Sequence, residues 1–218
     1  MPRPLIDSAL FPIPNMVVFP GTTVPLHVFE PRYRQMVEDA IETQRMIGVC
    51  NTKKLIRSAK THQNMQDALK NNQATYQPYD IFSAGPCEII EKTQDGRVYI
   101  HISMEKRLKL VREMQTLPYR IASCEEIEDD CTSEPIETLV KHQISITDSL
   151  TTLMMSNNPE KLNDFNRSEW LGLTPEKFSF KIFQIISFEP NTMQKLLEIT
   201  NSLERLEIVD SLISRTRK

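Results

Sequence analysis

The sequence predicts an α+β protein with a β-rich N-terminal domain at residues 1–128 and a helical C-terminal domain at residues 133–218. In the first part, short apolar runs alternate with polar positions and end at proline or glycine, which is typical of strands joined by turns. Residues 125–130 then hold five acids in six positions, which is typical of a solvated linker or edge. Beyond them the apolar residues recur with helical spacing.

Strands are predicted where a short apolar run alternates or is closed by turn residues. The clearest pair is a hairpin with Asp95 and Gly96 at its turn, because Asp tolerates and Gly prefers positive φ. In the return strand Val98, Ile100 and Ile102 share one face, which predicts that this face is buried. The predicted strands are 16–19, 22–29, 47–50, 81–83, 88–92, 97–104, 108–114 and 119–124.

One amphipathic helix interrupts these strands. Pro31 suits its first turn, where the missing N–H of proline costs nothing. The apolar residues that follow have the i, i+3, i+4 spacing of a buried stripe. They are Tyr33, Met36, Val37, Ala40 and Ile41.

Residues 51–78 are polar and rich in amide side chains, and we interpret them as a surface insertion. Met65, Ala68 and Leu69 allow one short helix within it. Its first part is basic and is interpreted as a solvated loop. The basic residues are Lys53, Lys54, Arg57 and Lys60.

The C-terminal domain begins with a long predicted helix. Ser133 is its candidate cap, and its stripe extends from Ile136 to Met154. At 1.5 Å per residue the helix is about 30 Å long. A short helix is predicted next, from Pro159 through Leu162 and Phe165.

The remaining helices are marked by proline and capping residues. Thr174 is predicted to cap a helix that has proline in its first turn. Pro190 is predicted to end this helix. The last apolar stripe extends from Met193 to Ile213, after a possible capping box at residues 191–194.

Composition excludes several common enzyme sites. The chain has 218 residues but only five glycines, and their spacing excludes a GxGxxG fingerprint and a GxSxG nucleophile elbow. No glycine precedes a lysine, so a phosphate-binding P-loop is excluded. The four histidines are too far apart in sequence for an HExxH zinc motif.

The compartment is predicted from the N-terminus and the cysteines. The first twenty residues contain Asp7 and five prolines, which argues against a secretory signal peptide. No apolar run approaches the roughly 20 residues that span a bilayer. The four cysteines form no CxxC pair and are too sparse for a disulfide scaffold. We therefore expect a reduced, cytoplasmic protein without a membrane partner.

The most distinctive segment is Leu10–Tyr33, which reads LFPIPNMVVFPGTTVPLHVFEPRY. It resembles the opening of the Lon N-terminal (substrate-binding) domain family. Weaker similarity continues at residues 36–40, 47–49 and 79–91, in the hairpin, and at residues 106–110, 118–122, 195–198 and 203–206. The resemblance implies a PUA-like pseudo-barrel followed by a helical part. It also implies a stand-alone protein without the ATPase and protease domains of Lon, and hence a protein that is not an enzyme.

The charged and aromatic residues of this segment have a local interpretation. Phe29 lies just before the helix, and Glu30 lies near its positive end. Arg32 and Arg34 are within reach of Glu30 or Glu38 as ion-pair partners. Because proline and glycine usually fix backbone geometry, the segment is interpreted first as a folding element.

Metal and nucleophile chemistry is weakly supported by the sequence. Cys124, Cys131 and His142 match no zinc template, and buried structural thiols are the favoured interpretation of the cysteines. His27 is interpreted as a structural histidine and His101 as a surface residue. We predict no catalytic residue, no metal and no cofactor.

Three kinds of partner remain. Unfolded or apolar protein segments suit the ten methionines and the proline-rich edge, and a proteolytic machine is a possible further partner. RNA is the alternative because the resemblance implies a PUA-like fold and basic clusters occur, although both domains are net negative. A small ligand is the third. The predicted partner-binding residues are Leu26, Phe29, Tyr33, Lys53, Lys54, Arg57 and Lys60.

Overall fold

The computed structural model describes residues 4–59, 69–130, 135–157 and 165–215. The strands are β1 (Ile6–Pro12), β2 (Thr23–Val28), β3 (Met46–Cys50), β4 (Thr52–Arg57), β5 (Thr75–Pro78), β6 (Ile81–Gly85), β7 (Cys87–Lys92), β8 (Val98–Ser103), β9 (Lys106–Gln115) and β10 (Arg120–Glu126). The helices are α1 (Pro31–Glu42), α2 (Ile136–Asn157), α3 (Arg167–Leu171), α4 (Pro175–Lys181), α5 (Pro190–Glu198) and α6 (Ser202–Arg215), and a 3-10 turn (Ile182–Gln184) follows α4.

Five strands close into a barrel in the order β1-β10-β9-β6-β3. Strand β1 pairs antiparallel with β10 and parallel with β3. One apolar cluster of the barrel contains Leu10, Phe82 and Leu108, all fully buried. Gly48 lets Phe82 approach the backbone, because a Cβ at this position would lie 2.3 Å from Phe82 Cε2.

A three-stranded sheet, β2-β8-β7, packs with α1 around a second apolar cluster. The predicted hairpin is its β7–β8 pair, and Gly96 has a φ of +89° at the turn. Helix α1 begins at Pro31 as predicted, and four residues of its predicted stripe are buried. Ile41, the fifth, is 41% exposed.

The first strand differs from the prediction. Residues 16–19 are not a strand, and β1 lies earlier in the chain. Five consecutive residues of β1 are buried, so its sequence lacks the alternation that identifies a half-exposed strand. The segment that was predicted as a strand is held by a side chain instead, because Ser83 Oγ donates to the Val18 carbonyl at 2.7 Å.

The ends of the 51–78 insertion pair as β4 and β5. We call these two strands, together with the described residues 58–59 and 69–74 between them, the arm. Lys53, Lys54 and Arg57 therefore lie on a strand and not on the predicted solvated loop. The reason is the cross-strand pairing with β5, which the polar composition did not indicate. Most of the predicted short helix, and Lys60, lie outside the described residues.

The chain divides into two compact units: Met1–Ile127 with Ser187–Glu198, and Glu128–Ile186 with Ile199–Lys218. Helix α5 groups with the barrel although the sequence placed it in the helical domain. Gln194 of α5 donates to the Ile81 carbonyl at 3.0 Å, and Arg107 of β9 donates to the Leu197 carbonyl at 2.9 Å. These long-range bonds join α5 to β6 and β9.

In the second unit, α2 buries Leu139, Gln143, Ile146 and Leu150. Ile136, which was predicted to begin the buried stripe, is 73% exposed. The candidate cap Ser133 and the predicted helix start at Pro159 lie outside the described residues.

Two capping predictions have different outcomes. Thr174 caps α4 as predicted, since its side chain accepts a hydrogen bond from the Lys177 N–H. Pro190 was predicted to end a helix but begins α5, because proline fits a first helical turn. The preceding segment already ends in the 3-10 turn at Gln184.

The prediction for the acidic run at 125–130 is confirmed only in part. Glu125, Glu128 and Asp130 are exposed, and the division between the two units falls after Ile127. The first two residues of the run, however, belong to β10, and the side chain of Asp129 is fully buried in an ion pair with Arg205. The prediction fails at Asp129 because a basic partner distant in sequence compensates the buried carboxylate.

No helix within the described ranges is long and apolar enough to cross a bilayer. The PUA-like class of the barrel and the bundle arrangement of the C-terminal helices stay predictions.

Candidate functional site

A pocket of about 410 Å³ opens beside the first turn of α1. Four segments form it: the end of β1 with the loop after it, the end of β2, the start of α1, and the arm. We call it the α1 pocket. Because the distinctive segment Leu10–Tyr33 supplies three of these four walls, the α1 pocket is the candidate functional site.

The walls of the α1 pocket are mainly apolar. Leu26, Phe29 and Met16 line it and are all partly exposed. Phe11 packs against Tyr33, with ring centroids 4.4 Å apart. Burial raises the pKa of Tyr33 to about 12, so its hydroxyl is protonated at neutral pH. These surfaces favour an apolar side chain over a charged one.

The polar edge of the pocket holds the arm in place. The Arg32 guanidinium donates to the Ala74 carbonyl at 2.7 Å and to Thr75 Oγ1 at 3.0 Å. It also forms the predicted ion pair with Glu30, at 2.9 Å, and the side chains are only 10% and 13% exposed. Glu30 in turn accepts a hydrogen bond from the Gln73 N–H at 2.8 Å. Arg32 and Glu30 therefore fix the arm as a pocket wall.

Arg34 has a different role from the one predicted. It donates to the carbonyls of Gly96 and Leu69 and does not pair with Glu30 or Glu38. It lies two residues after Arg32 on α1, so the two side chains leave the helix in different directions. Arg34 thus connects α1 to the β7–β8 turn at Gly96 and to the 51–78 insertion at Leu69.

His27 lines the α1 pocket. Its ring stacks on Tyr99, with centroids 4.6 Å apart. Its Nε2 is buried and has no hydrogen-bond partner among the described residues, so the prediction of a structural histidine with its polar groups satisfied is not confirmed at this nitrogen.

The structure brings Leu26, Phe29 and Tyr33 together in the α1 pocket. It does not place Lys53, Lys54 or Arg57 in the pocket lining, and Lys60 lies outside the described residues. The pocket lining also contains residues that were not predicted: Ile13 and Met16 in the loop after β1, and Gln73, Ala74 and Tyr76 in the arm. The proline pair around Ile13 was a signal for an irregular edge, but nothing in the amide-rich insertion indicated a wall.

The cysteines that the structure describes are structural or weakly acidic. Cys50 and Cys124 are buried, and burial raises the pKa of both thiols, to about 12 for Cys124. Cys87 is partly exposed, and burial raises its pKa to about 11. Cys131 lies outside the described residues. Among the residues that the structure describes, no group of His, Cys, Asp or Glu side chains could hold a metal ion.

Comparison with known proteins places these features in one family. The family profile for the "ATP-dependent protease La (LON) substrate-binding domain" matches residues 8–215. Lon protease 1 of Herpetosiphon aurantiacus is 25% identical over 214 residues, which is 91% of this chain and 24% of that protein. Lon protease of Dictyoglomus thermophilum is 24% identical over 212 residues, which is 94% of this chain and 24% of that protein. The chain thus spans about a quarter of the length of these relatives.

Two solved structures share the fold. A Lon N-terminal domain protein from Xanthomonas campestris has a TM-score of 0.61 and 18% identity, and the match covers 93% of this chain and 96% of that one. The N-terminal domain of the Mycobacterium avium complex Lon protease has a TM-score of 0.66 and 12% identity, with coverage of 95% and 98%. The fold is therefore that of a Lon N-terminal domain.

Proposed function

Because this chain belongs to the family of ATP-dependent protease La (LON) substrate-binding domains, we propose that it is a protein-binding module and that the α1 pocket holds an apolar side chain of an extended client segment. The observation that carries the proposal is the pocket itself. It is concave and mainly apolar, and it is built from the segment that carries the family resemblance.

The size of the pocket suits this role. Pockets that bury a small molecule occupy about 300 to 1,000 Å³, and the α1 pocket lies at the lower end of this range at about 410 Å³. That space suits one large anchor and a short stretch of backbone.

RNA is the weaker candidate for this site. Arg32, the cation at the pocket edge, is already committed to the ion pair and hydrogen bonds of the arm. Lys53 pairs with Asp80 at 2.6 Å. Lys54 and Arg57 on β4 are exposed, but neither lines the pocket, and a phosphate backbone would need several exposed cations around the site itself.

A second step belongs to the same proposal. A client held in this way could be passed to a proteolytic machine, with the chain as an adaptor that is not itself an enzyme. The cytoplasmic location that the cysteine pattern predicted likewise stays a proposal.

The test measures fluorescence anisotropy of a labelled unstructured peptide with a Leu-Phe anchor and neutral Ser and Gln flanks. We expect saturable binding that changes little with salt, because apolar burial is not screened. Two variants probe the pocket. Phe29→Ala removes a wall and Ala59→Trp fills the space, and each should weaken binding roughly tenfold, as for a central contact residue.

Ile90→Ala is the matched control, since Ile90 is an apolar residue 53% exposed on β7 and outside the pocket lining. It should change the affinity by less than about twofold. Equal losses in all three variants, or no binding by the unaltered chain, would contradict the proposal. A preference for labelled single-stranded RNA, with affinity falling steeply as salt rises, would favour the RNA alternative.

A further inference from the structure

We propose that strand β4 of the arm is a second part of the client site, where its open edge binds an acidic, extended peptide segment as an added strand. This inference rests on the proposed function and specifies the chemistry of the client beyond its apolar anchor. Three observations carry it: an unpaired strand edge, unpaired cations on that strand, and continuity with the α1 pocket.

The first observation is the open edge. Within the described part of the chain, β4 has β5 as its single neighbouring strand. Five of its six residues are exposed. An edge strand of this kind offers a row of backbone N–H and C=O groups to another extended chain.

The second observation is charge. Lys54 and Arg57 are both exposed and have no ion-pair partner among the described residues. Lys53 on the same strand is bound to Asp80, so Lys54 and Arg57 supply the net positive charge. Such an edge attracts carboxylates and repels basic segments.

Edge lysines also serve to prevent self-association of sheets. That role alone does not fit this strand, because Leu55 and Ile56 lie between the two cations and are 50% and 51% exposed. The strand therefore presents two cationic and two apolar side chains within four successive residues, and Lys54 and Ile56 share one face while Leu55 lies on the other. An extended segment that mixes acidic and apolar residues complements this strand.

The third observation is continuity with the α1 pocket. Leu55 is the register partner of Tyr76, which lines the pocket from β5. Residues directly opposite each other in a sheet have Cβ atoms about 4.5–5.5 Å apart and share a face. Ala59, two residues beyond the end of β4, also lines the pocket. A chain anchored in the pocket therefore reaches β4 over a short distance.

The experiment compares three labelled peptides with the same Leu-Phe anchor and with glutamate, glutamine or lysine in the flank. We expect the glutamate peptide to bind about tenfold more tightly than the glutamine peptide at low salt, with the difference shrinking as salt rises. The lysine peptide should bind more weakly than either. A fourth peptide with prolines in the acidic flank should lose most of this gain, because proline cannot donate to a strand ladder.

The charge-reversal variant Lys54→Glu/Arg57→Glu should remove the preference for the glutamate flank and leave binding of the glutamine peptide within about twofold. The matched control is Lys141→Glu/Lys177→Glu, which makes the same change in net charge at two exposed helical positions. It should keep the preference. Hydrogen exchange of residues 52–57 in the unaltered chain should slow when the glutamate peptide is bound.

The outcomes separate the two proposals. Equal binding of the glutamate and glutamine peptides, or an unchanged preference in the charge-reversal variant, overturns the role of β4 and leaves the α1 pocket intact. Single-stranded RNA that displaces the glutamate peptide, while the variant abolishes RNA binding, overturns it in favour of a nucleic-acid surface. Failure of every anchored peptide to bind overturns the proposed function and this inference together.

Discussion

The buried guanidinium of Arg205, in the second unit, is stabilised by several other residues. Its guanidinium bonds both carboxylate oxygens of Asp129 at 2.8–2.9 Å and the Ile199 carbonyl at 2.7 Å. It also lies over the ring of Phe180, 3.8 Å from the centroid. Neither charged side chain is exposed to solvent. Such a pair stabilises the fold only while both partners are present, because an isolated buried charge is very unfavourable.

We predict that Asp129→Ala lowers the free energy of unfolding by about 3–5 kcal/mol, because it leaves the Arg205 charge buried without a counter-ion. Urea denaturation followed by circular dichroism measures this change. Asp148→Ala is the control, since it breaks an exposed ion pair with Arg167 and should cost less than about 1 kcal/mol. Similar losses for the two variants would show that the Asp129 pair is not an essential part of the unit.

The arm is the element whose placement matters most to the candidate site. Its two strands bond to each other, and at the pocket its fixed points are Ala74 and Thr75, bound by Arg32, and Gln73, bound by Glu30. Arg32 also stacks on Tyr33, with its Cζ 4.6 Å from the ring centroid. Arg32 and Glu30 are therefore positioning residues for the arm, and in the proposed function they would affect client binding only through it.

We predict that Arg32→Ala speeds hydrogen exchange of residues 73–78 by at least about tenfold, because it removes charge-assisted bonds to the arm. Exchange in the barrel strands β1 and β10 should stay unchanged. Binding of the Leu-Phe peptide should weaken in parallel, whereas a purely structural role would speed exchange throughout the first unit.

Lys92→Ala is the comparison, since it breaks an exposed ion pair with Glu38 on the same helix. It should leave both exchange of the arm and peptide affinity unaltered. Arg32→Lys should restore only part of the protection, because an ammonium group cannot reproduce the forked geometry of the guanidinium.

At the scale of the whole molecule, chain order and spatial grouping differ. Helix α5 follows most of the second unit in sequence but belongs to the first. Gln194 is 2% exposed and binds the Ile81 carbonyl across 113 residues of chain. The last segment of the barrel unit, Ser187–Glu198, therefore follows Glu128–Ile186 of the second unit in the chain.

We predict that Gln194→Ala destabilises the protein by about 1–3 kcal/mol, because the Ile81 carbonyl loses a buried donor. Hydrogen exchange should increase in β6, although β6 lies far from residue 194 in sequence. Lys195→Ala alters the neighbouring exposed position on α5 and should have little effect. Faster exchange confined to α5 itself would contradict the grouping of α5 with the barrel.

The sequence by itself determined the features that depend on neighbouring residues. The β7–β8 turn follows from Asp95 and Gly96, the start of α1 from Pro31, and the cap of α4 from Thr174. The family followed from the unbroken motif Leu10–Tyr33. Each of these signals acts over a few residues, so no knowledge of the tertiary structure was needed to recognise it.

Only the tertiary structure decided the features that depend on distant partners. Strand β1 has no alternation because both of its faces are covered, Asp129 is buried because Arg205 compensates its charge, and the arm becomes a pocket wall because Arg32 and Glu30 bind it. The same holds for Leu26, Phe29 and Tyr33. These residues line a pocket only because the arm closes its remaining side. Long-range hydrogen bonds and ion pairs leave no periodic trace in a single sequence, and that is the physical reason for the division.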